Sequence, residues 1–217
     1  EVERFNYLEH PAVLDLSKNT IIELDVVYRY DMKLKEVSEN VNSIKINDFP
    51  HRITKRNLCY TNKTRKEVNN LVMNMINKTS KEQIYFIPEF IDNSKDKDDI
   101  VSKYQDMYIS KGFPVISCTT IEGGKVAVNN EEFTIDKIND THISLTATRP
   151  DGEHTIELTL KDFRRNFLLA FCITIHKSQG STIDNKLTIW DWNKMCTKLK
   201  YTAITRATKY ENINMMQ

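Results

Sequence analysis

Between residues 112 and 162 the apolar residues recur at every second position, while on either side they recur every third and fourth or run without a break. That switch of period constrains the fold most, because a period of two gives a strand one inward face and a period of 3.6 does the same for a helix. Val115 to Ser117, Lys125 to Val128, Glu132 to Ile135, His142 to Thr146 and His154 to Leu158 are predicted strands. Gly123-Gly124, Asn129-Asn130, Asn139-Asp140 and Asp151-Gly152 supply the turns. Five short strands in about 50 residues predict a small β-barrel or sandwich.

The flanks read differently. Ile21 to Val27 is β-rich. Asp31 caps a predicted helix through Asn40, with Leu34, Val37 and Val41 on one face. Asn57 to Thr61 is a second strand. Thr61 or Asn62 then caps a helix to about Lys78, with Val68, Leu71, Val72, Met75 and Ile76 as its buried stripe. Asp92 to Asp99 is a charged loop or an exposed helix start. Phe167 to Ile175 is one continuous apolar run, as in a strand buried on both faces. Leu187 to Trp190 is another strand, Met195 to Thr208 is helical, and Glu211 to Met215 is a last strand. The expected architecture is an α/β domain, residues 12–105 plus 165–217, interrupted by a β-rich insertion at 106–164.

Composition sets limits on function. With 217 residues there is room for one large core or two small ones, and 40% hydrophobic against 28% charged residues excludes wholesale disorder. A net charge of +1 excludes a global basic field, so binding to nucleic acid needs a local patch. No apolar run approaches the ~20 residues of a membrane span, and no signal peptide is visible. The chain opens Glu1-Val2-Glu3-Arg4 without an initiator Met, which suggests a fragment or a processed chain. Cys59, Cys118, Cys172 and Cys196 form no C-x-x-C pair and read as reduced core thiols, as expected of a soluble intracellular protein without a zinc site. Lys outnumbers Arg 22 to 9, and Asn and Ile reach 20 and 23, a bias that fits an A/T-rich genome.

Two stretches carry chemistry. Thr174-Ile175-His176-Lys177-Ser178-Gln179-Gly180-Ser181-Thr182 follows a buried strand, and α/β sheets bind ligands at the carboxyl ends of strands. Hydroxyls, an ammonium and a close-approaching backbone at Gly180 suit phosphate; a polar turn closing a strand is the plainer reading. In Tyr201-Thr202-Ala203-Ile204-Thr205-Arg206-Ala207-Thr208, Arg206 stands among small residues on an apolar helix, where it is either a surface charge or a purposeful, partly buried cation. His51 to Lys66 adds Arg52, Lys55, Arg56, Lys63, Arg65 and Lys66 with no acid, a patch for phosphates or a solvated face. Trp190 and Trp192 bracket Asp191 and read as packing ahead of base stacking.

In this order and spacing, the two stretches resemble motifs V and VI of superfamily 1 helicases in their RecD-like branch. Leu24-x-x-x-Tyr28-Arg29-Tyr30-Asp31 resembles the Arg-bearing segment that opens the second motor domain. Leu58-Cys59-Tyr60-Thr61-Asn62 with Asn69 resembles motif IV. Gly112-x-Pro114-Val115 and Asn129-Asn130-Glu131 resemble the start of the inserted Src-homology-3-like barrel. The resemblance spans roughly residues 20–215 and implies a RecA-like, P-loop NTPase-type parallel-sheet domain with a small inserted β-barrel. It implies that Arg29 and Arg206 reach the γ-phosphate of ATP, with Gln179 and Gly180 near the cleft. Tyr28 is expected either to meet the nucleotide base or to pack in the core. Thr61, Asn62 and Asn69 are expected to contact the phosphates of a single strand, and Thr174, His176, Lys177 and Ser178 to face that strand or couple the two sites.

No G-x-x-x-x-G-K-[ST] occurs in the sequence. The expectation is therefore the C-terminal motor half of an ATP-dependent helicase, whose ATP and Mg²⁺ are held mainly by an N-terminal RecA-like domain outside this stretch. This part alone is expected to bind no cofactor and to lack helicase-rate hydrolysis. Expected partners are single-stranded DNA, with RNA as an alternative, and that N-terminal domain; no membrane is expected, and the protein should be a monomer. The RecD-like default is 5′-to-3′ movement, and the A/T-rich bias points to replication in a large DNA virus or a protist. The rival is a catalytically inactive helicase-like module for nucleic-acid binding or assembly.

Overall fold

The computed structural model describes residues 10–18, 20, 29–91 and 104–217. The strand expected at Ile21–Val27, the cleft residue Tyr28 and the charged run Asp92–Asp99 lie outside the described residues.

In chain order the elements are α1 (Pro11–Leu16), α2 (Met32–Glu39), β1 (Arg56–Cys59), α3 (Asn62–Thr79), β2 (Tyr85–Ile87), β3 (Met107–Ile109), β4 (Pro114–Ser117), β5 (Glu132–Ile138), β6 (His142–Arg149), β7 (Gly152–Thr159), α4 (Leu160–Asn166), β8 (Phe167–Leu169), β9 (Cys172–Thr174), β10 (Leu187–Ile189), α5 (Thr197–Ile204) and β11 (Ile213–Met215). Four strands form a sheet in the order β11-β10-β1-β9, parallel at every joint. Their side chains are buried almost throughout, as a parallel sheet covered on both faces requires. α3 lies against β1 and β9. The alternating segment forms a second, antiparallel sheet in the order β7-β6-β5-β4-β8. This is the RecA-like α/β class with an antiparallel insertion. An apolar core joins the two sheets: Cys59 and Cys172 of the first, with Val72 of α3, are continuous with Val115, Phe133 and Phe167 of the second.

The capping residues do what their chemistry dictates. The Asp31 carboxylate accepts the Leu34 N–H at 2.8 Å, and the Thr61 hydroxyl accepts the Thr64 N–H at 3.2 Å.

Several expectations need correction. The apolar run Phe167–Ile175 is two strands, β8 in the antiparallel sheet and β9 in the parallel one. The chain changes sheets at Ala170-Phe171, whose carbonyls accept from Arg56 Nη1 and from the Asn57 N–H. Burial is equal on both sides of the switch, so hydrophobicity alone cannot reveal it. Lys125–Val128 is not a strand: only Ala127 pairs, with Ile121. Its carbonyls are met by side chains instead of a ladder, Gly124 and Val126 by the Arg149 guanidinium and Val126 also by the His154 ring. On α3 the buried face carries Arg65, Val68, Asn69, Val72 and Met73, while Leu71 and Met75 are exposed. Asn69, bonded to Cys172 in the interior, turns the helix away from its most apolar stripe and carries Arg65 inward with it. Only Cys59 and Cys172 are core thiols; Cys118 is half-buried and Cys196 exposed. The ribbon β2–β3 and the helix α4 were not expected at all.

Candidate nucleotide cleft and nucleic-acid interface

Thr174 ends β9, and the chain turns at once. The Lys177 N–H donates to the Thr174 carbonyl at 2.9 Å, and the Ser178 hydroxyl donates to the Ile175 carbonyl at 2.8 Å. Ser178 is fully buried, whereas His176, Gln179 and Gly180 are exposed. Gly180 takes a φ of +88°, a left-handed conformation that L side chains resist, and the turn closes with the Ser181 N–H and hydroxyl donating to the Ser178 carbonyl at 3.1 and 2.7 Å.

Both arginines close on that turn. Arg206 lies just past the end of α5, not within it. Its Nε donates back to the Thr202 carbonyl at 3.1 Å, and its Nη1 to the carbonyls of Ser181 at 3.1 Å and Ser178 at 3.4 Å. Arg29 Nη2 donates to the same Ser181 carbonyl and to the Thr182 hydroxyl at 3.0 Å. The backbone fixes the arrangement: Ile183 N–H donates to the Arg206 carbonyl at 2.8 Å, and Asp31 N–H to the Thr208 carbonyl at 3.0 Å. The Asp31 carboxylate also accepts the Tyr210 N–H at 3.0 Å, tying the Arg29 segment to the Arg206 segment.

Neither arginine forms an ion pair with a carboxylate among the described residues. Burial lowers the Arg206 pKa, and the Arg29 charge lowers it further. Two guanidiniums that share one carbonyl and repel each other have a chemistry that suits an anion, since a polyphosphate would relieve the repulsion and accept hydrogen bonds from both. The residues present fit the γ-phosphate end of a nucleotide. Among the described residues no three His, Cys, Asp or Glu side chains are grouped to hold a metal ion.

A second face lies at the carboxyl ends of β1, β9 and β10. Asp191, in a left-handed conformation at φ +61° and nearly buried, is its centre. Its carboxylate accepts the N–H groups of Tyr60 and Thr61 at 3.3 Å, the Thr64 hydroxyl at 3.0 Å and the Lys194 ammonium at 2.7 Å. Burial pushes this carboxyl up, and the bonds from Lys194, Thr64 and the Thr61 backbone more than reverse it, leaving the pKa below the usual carboxylate range. Thr61 is half-buried and Asn62 exposed at the start of α3. Lys177 Nζ donates to Asn130 Oδ1 at 2.8 Å, so the turn after β9 is joined to the antiparallel insertion.

Asn69 is not on that face. It is fully buried, and its amide donates to the Cys172 carbonyl and accepts the Cys172 N–H, both at 2.9 Å. Those two groups point away from β1 on the edge strand, so Asn69 supplies the ladder that a further strand would have made. The basic stretch is also divided. Arg65 is buried, Arg56 pairs with Glu132 at 2.6 Å and Lys66 with Glu89 at 3.6 Å. Arg52 and Lys55 precede β1 while Lys63 follows it, which puts them at opposite ends of a strand ~13 Å long. Trp190 and Trp192 are both buried, so packing is their role. The sequence pattern assigned Asp191 and Asn130 no role in the site. Their signals were position, Asp191 at a strand end and Asn130 in a turn, with Asn130 also inside the Asn129-Asn130-Glu131 segment of the resemblance.

A scan against protein-family models and a search of curated proteins each found no match. Solved structures do match. Bacteroides Pif1 bound to ssDNA aligns at a TM-score of 0.59 and 17% identity, over 90% of this chain and 51% of that one. Bacteroides Pif1 helicase in complex with ADP-AlF3 and ssDNA aligns at 0.59 and 17%, over 91% and 52%. Pif1 helicase from Candida albicans aligns at 0.59 and 14%, over 92% and 58%. The chain spans about half the length of these structures. At such identities the likeness establishes the fold alone: a RecA-like α/β domain with an antiparallel insertion.

Proposed function

We propose that this chain is the C-terminal motor half of an ATP-dependent nucleic-acid helicase or translocase of the RecD-like branch. The single observation that carries this is the pair Arg29 and Arg206, converging on the Ser181 carbonyl without a carboxylate partner among the described residues. Bound ATP with Mg²⁺ would supply the phosphoryl group transferred to water. Arg29 and Arg206 would hold the γ-phosphate and neutralise the charge that develops on its oxygens, an effect of ~10³–10⁵ in rate for such arginines. Gln179 and Gly180 would flank that phosphate, and Tyr28 would meet the base. The phosphate loop and the metal-binding acid would come from a first RecA-like domain, in keeping with a chain that covers about half of each Pif1 structure.

A single strand would cross the other face. Thr61, Asn62, Thr174, His176 and Lys177 would contact it, and buried Ser178, whose carbonyl accepts from Arg206, would couple strand to nucleotide. Asn69 takes no part, since its amide is spent inside. Single-stranded DNA is the favoured strand because the Pif1 neighbours hold ssDNA. The RecA-like unit is taken as 12–105 plus 165–217 and the barrel-like insertion as 106–164, with β8 reaching from the first into the sheet of the second. The protein would act as a soluble, intracellular monomer, moving 5′ to 3′.

The test is ATP hydrolysis by this chain joined to its phosphate-loop domain, with oligonucleotides of increasing length. Hydrolysis that rises with strand length supports the motor. Strand binding without any hydrolysis supports an inactive assembly module instead.

A further inference from the structure

Tyr60 and His176 stand together where two neighbouring parallel strands end. Tyr60 follows β1 directly, and His176 lies two residues beyond β9. Their ring centroids are 6.3 Å apart with the planes tilted by 38°. Neither is a core residue: Tyr60 is 38% exposed, and His176 is exposed as well. Both mounts are stiff. The Tyr60 N–H donates to the buried Asp191 carboxylate, and the Ile175 N–H beside His176 donates to the Cys59 carbonyl at 2.9 Å.

An exposed ring leaves apolar area in water unless something flat covers it. What could cover these two is set by their neighbours. Lys63 is exposed three residues after Tyr60, and Lys177, half-buried with its ammonium on Asn130 Oδ1, adjoins His176 in the chain. Aromatic faces at the centre with ammonium groups beside them are what a single strand offers partners for: bases stack on the rings, and phosphates meet the cations. A peptide could pair with the Tyr60 hydroxyl or the His176 ring nitrogens, but it does not bring a flat π-face for each ring together with a phosphate for each cation.

We infer that Tyr60 and His176 form a stacking platform for the bases of the bound strand, so that this face grips bases as well as phosphates. This rests on the strand-binding role proposed above and adds Tyr60, to which the motif IV resemblance gave no role. Stacking is indifferent to base identity because every base has a π-face, so the platform would grip without reading sequence.

The test is fluorescence anisotropy at one low salt concentration, with a labelled oligo-dT and an abasic oligonucleotide of equal length. Tyr60→Ala should weaken oligo-dT binding by about 5- to 150-fold, the range of one lost base stack, and leave abasic binding within about twofold. His176→Ala should act in the same sense, and Tyr60→Phe should bind oligo-dT within about threefold of the original chain. The platform is overturned if Tyr60→Ala binds oligo-dT normally, or if it loses both ligands equally. It is overturned also if the unsubstituted chain binds the two oligonucleotides equally well, an outcome that leaves strand binding itself intact. A chain that binds neither oligonucleotide removes the strand-binding role and the platform together.

Discussion

Replacing Asn69 should damage the fold and spare the strand-binding face. On the outer edge of β9 the Asn69 amide donates to the Cys172 carbonyl and accepts the Cys172 N–H, at 2.9 Å each. Asn69→Leu fills similar space but strands both backbone groups inside the core. An unpaired buried donor or acceptor costs ~1–3 kcal/mol, so the pair should cost ~2–6 kcal/mol. Domains of this kind have only ~5–15 kcal/mol in total, so the variant should be close to unfolding. With a urea slope of ~2 kcal/mol/M, the midpoint should fall by ~1–3 M at an unchanged slope. Asn69→Asp keeps an acceptor for the N–H but sets a carboxylate against the Cys172 carbonyl, so it should be no better. At low temperature the folded fraction should still bind a single strand within about twofold. A stability loss of Asn69→Leu below ~0.5 kcal/mol would refute the clamp, and a selective loss of strand binding would return Asn69 to the strand face.

The remaining predictions concern charge. Lys63→Ala should lower the salt slope of strand binding by about one, while Arg65→Ala, at a buried position, should instead lower the urea midpoint. An unchanged slope for Lys63→Ala would take Lys63 off the strand path. Asp191 has a folded pKa below its unfolded value of ~3.9, so its stabilisation is complete above about pH 4 and is lost as pH falls through the depressed folded value. Asp191→Asn should therefore be less stable than the original chain at pH 7 and lose less on acidification to pH 3, by urea midpoints. Equal losses for both would show that the carboxylate carries no such linkage.

Local chemistry was legible in the sequence, and pairing between distant segments was not. Asp31 and Thr61 announce helix starts because a short side chain with an acceptor can satisfy the first free N–H groups. The period-two segment announces strands because alternation is a property of neighbours along the chain. The turn after β9 and Arg206 were legible through their motif resemblance, and the structure sets them in contact. Hidden from the sequence were facts decided by distant partners. Arg65 and Asn69 sit inside α3 because Asn69 meets β9, which no hydrophobic stripe encodes. The change of sheet at Ala170-Phe171 leaves burial unaltered, and in Lys125–Val128 the Val126 carbonyl is taken by Arg149 and His154 instead of a neighbouring strand. The basic stretch looked continuous because proximity in sequence says nothing of the strand that divides it.

The most direct test of the central claim is ATP turnover by Arg206→Ala in this chain joined to its phosphate-loop domain, measured with saturating single strand. The account predicts a loss of ~10³-fold or more, with strand affinity kept within a few fold. Arg206→Lys should recover little of it, since an ammonium restores the charge but not the fork that spans Thr202, Ser178 and Ser181. Turnover that survives Arg206→Ala while strand binding is lost would contradict the claim and place Arg206 on the strand instead of the nucleotide.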